Sequence, residues 1–303
     1  SSNMNANEVI ANRACEILNG KKGDKSLVHP NDHVNFGQSS NDVIPTSIHI
    51  AASIEITKRL VPELHELKKS LDQKSKEFDN VIKIGRTHLQ DATPITLGQE
   101  FSGYSKMVDN SINRIKSNLP FLYQLAQGGT AVGTGINTHK DFGNLIAQEI
   151  SNITNLDFVE ADNHFEAQAT QDSIVHLSGS LKTLSVSLYK IANDIRWLGS
   201  GPRSGLGELI LPAVQPGSSI MPGKVNPVIC ESLIQVTSQV IGYDSAITLG
   251  GLGGVFELNL MLPLIGSNIL ESINILSNGI KMFRLKLIDD LKANEKKCMG
   301  YIE

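Results

Sequence analysis

Apolar residues recur at steps of three and four over unusually long stretches, and this periodicity constrains the fold more than any other feature. In the first stretch, Leu60, Leu64 and Leu67 fall on one side of a helix for which Asn41 is the expected N-cap. Four further stretches predict helices in the same way. The predicted helices span residues 42–78, a segment from after Pro94 to Gly128, and residues 165–198, 228–247 and 257–287, the last kinked at Pro263.

Helices of about 30 residues or more extend over about 45 Å, far beyond the average helix. They need apolar partners along their whole length, so the sequence predicts an all-α protein with a long helical bundle. The apolar stripes are too wide for one neighbour, which predicts that subunits share the bundle in an oligomer. Only 5% of the residues are aromatic while 40% are hydrophobic, as expected for aliphatic helix packing. One elongated domain or two compact ones fit this pattern.

Charge and cysteine content exclude several classes of function. The 27 basic and 31 acidic residues give a net charge of −4, which offers no electrostatic basis for binding nucleic acid or an anionic membrane. Cys15, Cys230 and Cys298 are far apart and lack the paired spacing of a zinc or redox site. No apolar run approaches the length of a membrane span, and the N-terminus lacks a signal-peptide pattern. We therefore expect a soluble intracellular protein, without metal or disulfide, that binds a small ligand.

Four polar loops interrupt the helical pattern. The first, second and fourth directly precede a predicted long helix, whose unpaired N–H groups and dipole favour anions. A substrate with carboxylate groups would suit such sites. In the fourth loop, Gly217, Pro222 and Pro227 forbid regular structure, so the loop presents Lys224 and several hydroxyl groups at a surface. The four loops span residues 29–42, 85–94, 128–138 and 217–227.

Each loop also has a purely structural explanation. Ser39, Ser40 and Asn41 can serve as helix caps, and His88 can be a loop histidine that bonds a backbone carbonyl. The fourth loop can be an ordinary polar turn. The glycines of the third loop suggest a dinucleotide fingerprint, but a helix rather than a strand is expected before them, which excludes that interpretation. The sequence contains no phosphate-binding loop, zinc-protease helix or serine-hydrolase elbow.

Taken together, these segments resemble the fumarase/aspartase superfamily and, within it, the class II fumarases. The resemblance extends over nearly the whole chain and includes the fourth loop almost letter for letter. Aspartate ammonia-lyases usually carry Gln at the position of His88 and lack the form of residues 256–259 found here. Argininosuccinate and adenylosuccinate lyases share mainly the fourth loop. The matching segments are residues 2–9, the segments around His29 and Ser39, and residues 85–94, 128–138, 217–227 and 256–259.

The resemblance implies an all-α homotetramer with a long central helical bundle shared between the subunits and active sites built from loops of three of them. It also implies reversible hydration of fumarate to L-malate through a carbanion, without cofactor or metal. Such chemistry needs a base for the C3 proton of malate, an acid for the departing hydroxyl, and donors that stabilise the doubly charged carboxylate intermediate. A small dicarboxylate is therefore the expected ligand.

Residue by residue, the resemblance assigns Ser218 as the base at C3, His88 as the group for the other proton transfer, acting through a water, and Glu231 as the carboxylate that orients His88. A serine hydroxyl is a weak base at neutral pH, so backbone N–H groups and Lys224 would have to stabilise its alkoxide. Lys224 and Asn226 would hold a substrate carboxylate. Further substrate-binding residues would be Thr87, Ser39, Ser40, Asn41, Ser219 and Val225, and a second anion site would comprise His29, Pro30, Asn31 and Asp32.

The chain departs from the family pattern at its ends and at one internal position. Relatives carry an N-terminal domain ahead of the segment that begins at Ser2, and we expect this domain to be missing here. We assign residues 1–287 to the bundle with its active-site loops and residues 288–303 to the start of a truncated C-terminal segment. Ser26 stands where many relatives have a basic residue near the second anion site. The expected location is the cytoplasm, or the mitochondrial matrix in a eukaryote.

Two alternative functions stay open. One is an ammonia-lyase that acts on aspartate, and His88 is the residue that distinguishes a fumarase from such an enzyme. The other is a non-catalytic structural or binding protein on the same scaffold. The joint presence of Ser218, Lys224 and His88 argues against that second alternative.

Overall fold

The computed structural model describes residues 2–302, and within them long helices dominate, which confirms the predicted all-α class. No helix among the described residues is long and apolar enough to cross a membrane. The sequence analysis did not predict the helices at residues 2–17 and 142–154. The α-helices are α1 Ser2–Ile17, α2 Ser40–Glu55, α3 Val61–Glu77, α4 Leu97–Lys116, α5 Leu119–Leu122, α6 Phe142–Thr154, α7 His164–Ala169, α8 Asp172–Leu198, α9 Val228–Gly251, α10 Leu262–Phe283 and α11 Glu295–Met299.

Short strands connect some of the helices. Among the described residues they form two-stranded sheets only, and just one of these, β1 with β2, is longer than two residues per strand. Three π-helical turns, Pro30–Val34, Ile56–Leu60 and Arg284–Ile288, complete the regular structure of residues 2–302. The strands are β1 Ile82–Thr87, β2 Gln90–Thr96, β3 Gln124–Leu125, β4 Val159–Glu160, β5 Leu209–Ile210, β6 Gly254–Val255, β7 Leu258–Asn259 and β8 Lys292–Ala293.

The first predicted long helix corresponds to α2 and α3, which the π-helical turn Ile56–Leu60 joins without a break. Most of its apolar side chains are buried, as the periodicity predicts, but Ile44 near its N-terminus is 41% exposed. The predicted N-cap was wrong by two residues. The hydroxyl of Ser39 accepts a hydrogen bond from the N–H of Asn41 at 3.1 Å, so Ser39 caps the helix while Asn41 lies in its first turn.

The second predicted helix was too long at both ends. A capping box between Thr96 and Gln99 fixes the start of α4, and the preceding polar loop is a β-hairpin rather than irregular chain. At the other end, the amide of Asn118 donates to the Arg114 carbonyl at 2.7 Å, and Pro120 has no N–H with which to continue the helix. The chain therefore leaves the helix near residue 117.

Two other predicted helices were also misplaced at their N-terminal ends. The helix predicted at residues 165–198 is divided into α7 and α8, because Thr170 has extended backbone angles. The predicted kink at Pro263 was wrong, because Pro263 is the second residue of α10. A backbone N–H at that position has no acceptor within the helix, so proline costs no hydrogen bond there. The helix after residue 227 was predicted correctly and runs a few residues further, to Gly251.

The chain forms two compact units, and the predicted boundary at residue 287 stays a prediction. Unit 1 comprises residues up to 50 with residues 123–171 and 253–262, and Leu125, Ala147 and Phe158 form an apolar cluster in it. Unit 2 comprises the remainder. There α8 packs on α9, α3 on α4, and α4 on α8, through side chains such as Leu181, Ile191 and Phe101 that exclude solvent completely.

Candidate functional site

The hairpin of β1 and β2, in unit 2, carries two of the predicted site residues, Thr87 and His88. Thr87 pairs with Gln90, so His88 and Leu89 form a two-residue turn. Both turn residues are left-handed, with φ of 55° and 59°, a conformation that costs a non-glycine residue about 1–2 kcal/mol. The side chains of Thr87 and His88 are exposed, and among residues 2–302 the His88 imidazole has no hydrogen-bond partner. The imidazole is thus free for a substrate or water.

Buried charges hold the base of this hairpin. Arg86 donates from both terminal nitrogens to the carboxylate of Glu208, at 3.0 and 2.8 Å. Lys83 lies 3.5 Å from the same carboxylate and 3.3 Å from that of Glu100. Burial raises the pKa of Glu100, and the ammonium of Lys83 opposes that rise. The site residues of the hairpin therefore lie next to a cluster of charges in which Lys83 and Glu208 are buried while Arg86 and Glu100 are partly accessible.

The fourth loop places three predicted substrate-binding residues, Lys224, Val225 and Asn226, at one cavity of about 420 Å³ in unit 2. The opposite wall is the segment around residues 199–211, and Arg196 of α8 also lines the cavity. One terminal nitrogen of Arg196 donates a hydrogen bond to the side-chain oxygen of Asn193 at 2.8 Å. A cavity with two cationic side chains and an amide suits a small anion with more than one carboxylate group.

Ser218 lies half-buried in the fourth loop, and the loop folds around its hydroxyl. The N–H groups of Ile220 and Met221 both donate to the Ser218 Oγ at 3.3 Å. The N–H of Ser218 donates to the Lys224 carbonyl, also at 3.3 Å, which closes the loop on itself. Two N–H donors aimed at one hydroxyl oxygen favour negative charge on that oxygen, as the sequence analysis requires of a serine base. Ser219 is exposed beside it.

Glu231 lies in the first turn of α9, half-buried, where its N–H donates to the Pro227 carbonyl at 3.1 Å. Its neighbour Cys230 is buried, and burial raises the pKa of that thiol to about 12, so the thiol stays protonated at neutral pH. Within residues 2–302, no hydrogen bond or ion pair joins Glu231 or Ser218 to His88. Within the described residues, the single chain therefore shows no direct contact of Ser218 or Glu231 with His88.

In unit 1, the first loop brings its serine and asparagine side chains to the N-terminus of α2. The amide of Asn41 donates to the carbonyl of Ala131 in the third loop at 2.7 Å. Ser40 is exposed at the first position of the helix, and Ser39 caps it. Ser39 thus caps the helix, as the structural alternative predicts, and Asn41 bonds the third loop.

The sequence analysis missed Asp42, which joins these two loops. Its Oδ2 accepts hydrogen bonds from Gln127 Nε2 and from the N–H groups of Gly128 and Thr130, at 2.9–3.1 Å. The side chain is fully buried, and burial raises its pKa even though the backbone donors of Thr130 and Gly128 oppose the rise. An acidic residue in the first helical turn, with a glycine-rich loop elsewhere in the sequence, was the available signal.

The predicted second anion site is a π-helical turn in unit 1. His29 Nδ1 accepts hydrogen bonds from the N–H groups of Asn31 and Asp32, at 3.2 and 3.1 Å. These N–H groups are therefore already used. The carboxylate of Asp32 lies 3.4 Å from the same Nδ1, which as an acceptor carries no proton, so this contact is no ion pair. Pro30 is buried, and among residues 2–302 the Nε2 of His29 has no hydrogen-bond partner, which leaves it for an anion.

A second cavity in unit 2, of about 820 Å³, is lined by Glu55, Arg59, Tyr243 and Glu271 among others, and no predicted site residue is part of its lining. Over the described part of the chain, no group of His, Cys, Asp and Glu side chains is placed to hold a metal ion. The candidate site is therefore the smaller cavity at Lys224, together with the Ser218 loop and the His88 hairpin.

Comparison with known proteins was made on sequence and on structure. A protein-family model described as lyase matches residues 1–242. Fumarate hydratase 2 of Arabidopsis thaliana is 58% identical over 296 residues, which are 98% of this chain and 59% of the relative. The mitochondrial fumarate hydratase of Saccharomyces cerevisiae is also 58% identical, over 98% of this chain and 60% of the relative. The chain thus spans about three fifths of the length of these curated relatives.

A solved structure gives the same result for the fold. The recombinant class II fumarase from Schistosoma mansoni superposes with a TM-score of 0.92 at 42% identity, over 99% of this chain and 66% of that structure. The similarity covers the hairpin, the four loops and all of the long helices, since almost no residue of the chain lies outside it.

Proposed function

Because this chain belongs to the fumarase/aspartase family of lyases, we propose that it catalyses the reversible hydration of fumarate to L-malate. The observation that carries the proposal is the fourth loop, in which two N–H groups point at the Ser218 hydroxyl beside a cavity lined by Lys224, Asn226 and Arg196. A base next to cationic side chains is what removal of a proton alpha to a carboxylate requires. The names of the relatives, fumarate hydratases, support the same reaction.

In the proposed mechanism, Ser218 Oγ as alkoxide takes the C3 proton of malate. The electron pair moves onto the neighbouring carboxylate, whose second negative charge Lys224 and Asn226 stabilise. The hydroxyl at C2 then leaves as water after accepting a proton through a water held by His88, and Glu231 orients the imidazole. In the hydration direction, water adds to C2 and Ser218 returns the proton to C3. Each transfer between positioned groups contributes about a hundred- to ten-thousand-fold to the rate.

The remaining predicted residues would complete the binding of the dicarboxylate. Thr87 of the hairpin is exposed next to His88, and Ser40 is exposed at the N-terminus of α2, where helix N–H groups attract carboxylates. Asn41, Ser39 and Ser219 would add hydrogen bonds. The second anion site would use the free Nε2 of His29.

We further propose that the protein is a homotetramer whose helices form a shared central bundle. The long helices α8 and α9 keep large apolar side chains exposed, among them Val186, Tyr189 and Leu249. Apolar surface of that kind on long helices favours contact with another copy of the chain. Assembly would also bring His88 of one subunit to Ser218 of another, which the single chain leaves apart. We expect the protein in the cytoplasm or the mitochondrial matrix, serving the tricarboxylic acid cycle.

The test is an assay of the full-length protein, together with its mass in solution. The ultraviolet absorbance of fumarate is followed while L-malate and then L-aspartate are offered. Fumarate formed from malate alone, by a species of tetramer mass, is the expected result. Fumarate formed from aspartate would establish the ammonia-lyase alternative, and a tetramer silent on both substrates would establish a non-catalytic protein. Loss of activity in both Ser218→Ala and His88→Asn is expected, and retention in both contradicts the mechanism.

A further inference from the structure

We infer that Glu208 is a positioning residue for the reaction: its carboxylate, acting through Arg86, holds the hairpin turn that presents Thr87 and His88. The inference rests on the proposed function, because it assigns a task to a residue that does not reach the substrate. Its evidence is the geometry of the buried charges under the hairpin, the conformation of the turn, and the position of Glu208 in the chain.

Glu208 is held through both its side chain and its backbone. Its side chain is fully buried, and both of its oxygens accept from the guanidinium of Arg86 in a bidentate arrangement. Its backbone carbonyl accepts from the N–H of Asn294 at 2.8 Å and from the thiol of Cys298 at 3.7 Å. Because both the carboxylate and the backbone are held, Glu208 gives Arg86 a stationary partner.

In this cluster Lys83 and Arg86 face Glu208 and Glu100, and Arg86 also lies 3.9 Å from the exposed carboxylate of Asp91. Removing one member of such a buried cluster leaves an uncompensated charge. Lys83 and Arg86 both belong to β1, so the strand contacts the Glu208 carboxylate at two positions. The strand cannot move without disturbing these contacts.

The turn explains why such an anchor is needed. His88 and Leu89 both adopt left-handed backbone angles without being glycine, and strained residues persist only when the surrounding structure holds them. The contacts of the hairpin with Glu208 lie two residues before His88. A relaxed hairpin would move the imidazole away from its place, and a displacement of about 1 Å can lower a rate about a hundredfold.

Glu208 also joins the hairpin to the cavity at the fourth loop. Its neighbours Gly207 and Leu209 line that cavity, as do Lys224 and Asn226. The peptide on either side of Glu208 therefore forms a wall of the proposed substrate site, while its side chain holds the proposed proton-transfer hairpin. In the proposed assembly, where His88 of one subunit meets Ser218 of another, Glu208 therefore holds the hairpin of one site while its neighbours line the cavity of another.

The test compares Glu208→Gln with Asp244→Asn in the full-length protein. Asp244 is a matched control, since it is also a buried carboxylate that accepts from a lysine, Lys182 at 2.6 Å, and from Ser178 at 2.7 Å, but in the helical bundle. We expect Glu208→Gln to lower kcat about ten- to a hundredfold with little change in KM, and to alter the pH profile of kcat. We expect Asp244→Asn to keep the kcat and the pH profile of the wild type. Equal effects on kcat in the two variants would overturn the inference.

Arg86→Lys serves as the second variant, because it keeps the charge balance if Glu208→Gln fails to fold. A lysine cannot make the bidentate contact, so we expect the same loss of kcat. Amide hydrogen exchange at residues 85–92 gives a readout that does not depend on activity, and exchange should be at least about tenfold faster in Arg86→Lys than in Asp244→Asn. Unchanged exchange and kcat in Arg86→Lys would contradict the inference. A wild type without activity would instead refute the proposed function, and exchange alone would then decide the role of Glu208.

Discussion

The two parts of the chain that carry the proposed proton transfers are held in opposite ways. The hairpin with His88 stands on buried charges, and Lys83 and Glu208 at its base are inaccessible to water. The fourth loop with Ser218 has no regular structure, and within it Ile220 is 87% exposed and Met221 is 50% exposed. Its internal hydrogen bonds are few and long, at 3.1–3.3 Å.

The proposed site therefore combines a fixed part with an adaptable one. A rigid hairpin keeps the imidazole at a constant place, which suits the positioning of a water. A loop held by few bonds can open to admit substrate and close around it, and loops of that kind come from the least stable parts of a structure. The exposed apolar side chains of the fourth loop would then be covered in the closed or assembled state.

The largest expected effect is on the adaptable part, in Ser218→Ala. Without the hydroxyl no base takes the C3 proton, so we expect kcat to fall about a hundred- to ten-thousand-fold with little change in stability. Initial rates with malate measure this. Ser238→Ala is the control, because Ser238 is exposed on α9 and its hydroxyl donates only to the Ile234 carbonyl. Equal rates in the two variants would remove Ser218 from the mechanism.

A smaller effect is expected from Lys224→Met, again in the loop. The methionine keeps the length of the side chain but loses a charge-assisted hydrogen bond to a substrate carboxylate, worth about 1.5–3 kcal/mol. We expect KM to rise about ten- to a hundredfold, and kcat to fall as well because the second charge of the intermediate loses a partner. Thermal stability should stay constant, since Lys224 is exposed. The control is Lys286→Met, at an exposed lysine outside the cavity. A Lys224 variant with the KM of the wild type would show that the cavity is not the substrate site.

The same change from glycine to alanine, made once in the loop and once in the hairpin, tests whether the two parts differ in rigidity. At Gly217 an added Cβ would clash with the Lys224 carbonyl, and at Gly85 it would lie 2.8 Å from the Thr93 carbonyl. The exposed loop can shift, so Gly217→Ala should lower kcat/KM about tenfold and leave the melting temperature nearly unchanged. The hairpin cannot shift, so Gly85→Ala should lower the free energy of unfolding by about 1–3 kcal/mol. Equal stability losses would mean that the loop is as rigid as the hairpin.

The same contrast explains what the sequence could predict. The long helices follow from apolar periodicity because their packing faces are continuous, as with Leu60, Leu64 and Leu67, all fully buried. The fourth loop was also predictable, since prolines and glycines exclude regular structure in it. Its hydrogen bonds to the Ser218 oxygen could not be predicted, because they depend on backbone angles that composition does not determine.

The hairpin escaped prediction for a specific reason. Two-residue hairpin turns are recognised by Asn-Gly or a similar pair, whereas this turn is His88-Leu89. The only signal was the run of β-branched residues in β1 and β2. Glu208 and Asp42 were missed because their partners are far away in the sequence, and long-range pairing of a buried charge leaves no local pattern.

The smallest change in stability is expected for Leu89→Gly, which tests directly whether the turn of the hairpin is strained. Glycine adopts the left-handed conformation freely, which removes about 1–2 kcal/mol of strain, while its flexibility in the unfolded chain costs about 0.5–1 kcal/mol. Leu89 is 67% exposed, so little packing is lost. We therefore expect a net gain of about 0.5–1 kcal/mol and a slightly higher melting temperature, measured at constant protein concentration.

The control for this prediction is Leu145→Gly, at a leucine of α6 that is 56% exposed. Helix angles are available to leucine without strain, so glycine there should lower stability by about 1 kcal/mol. A higher melting temperature in Leu89→Gly together with a lower one in Leu145→Gly would establish that the turn is strained. If both variants lowered the melting temperature, the turn would carry no strain that glycine relieves, and the hairpin would need no anchor beyond its own strand pairing.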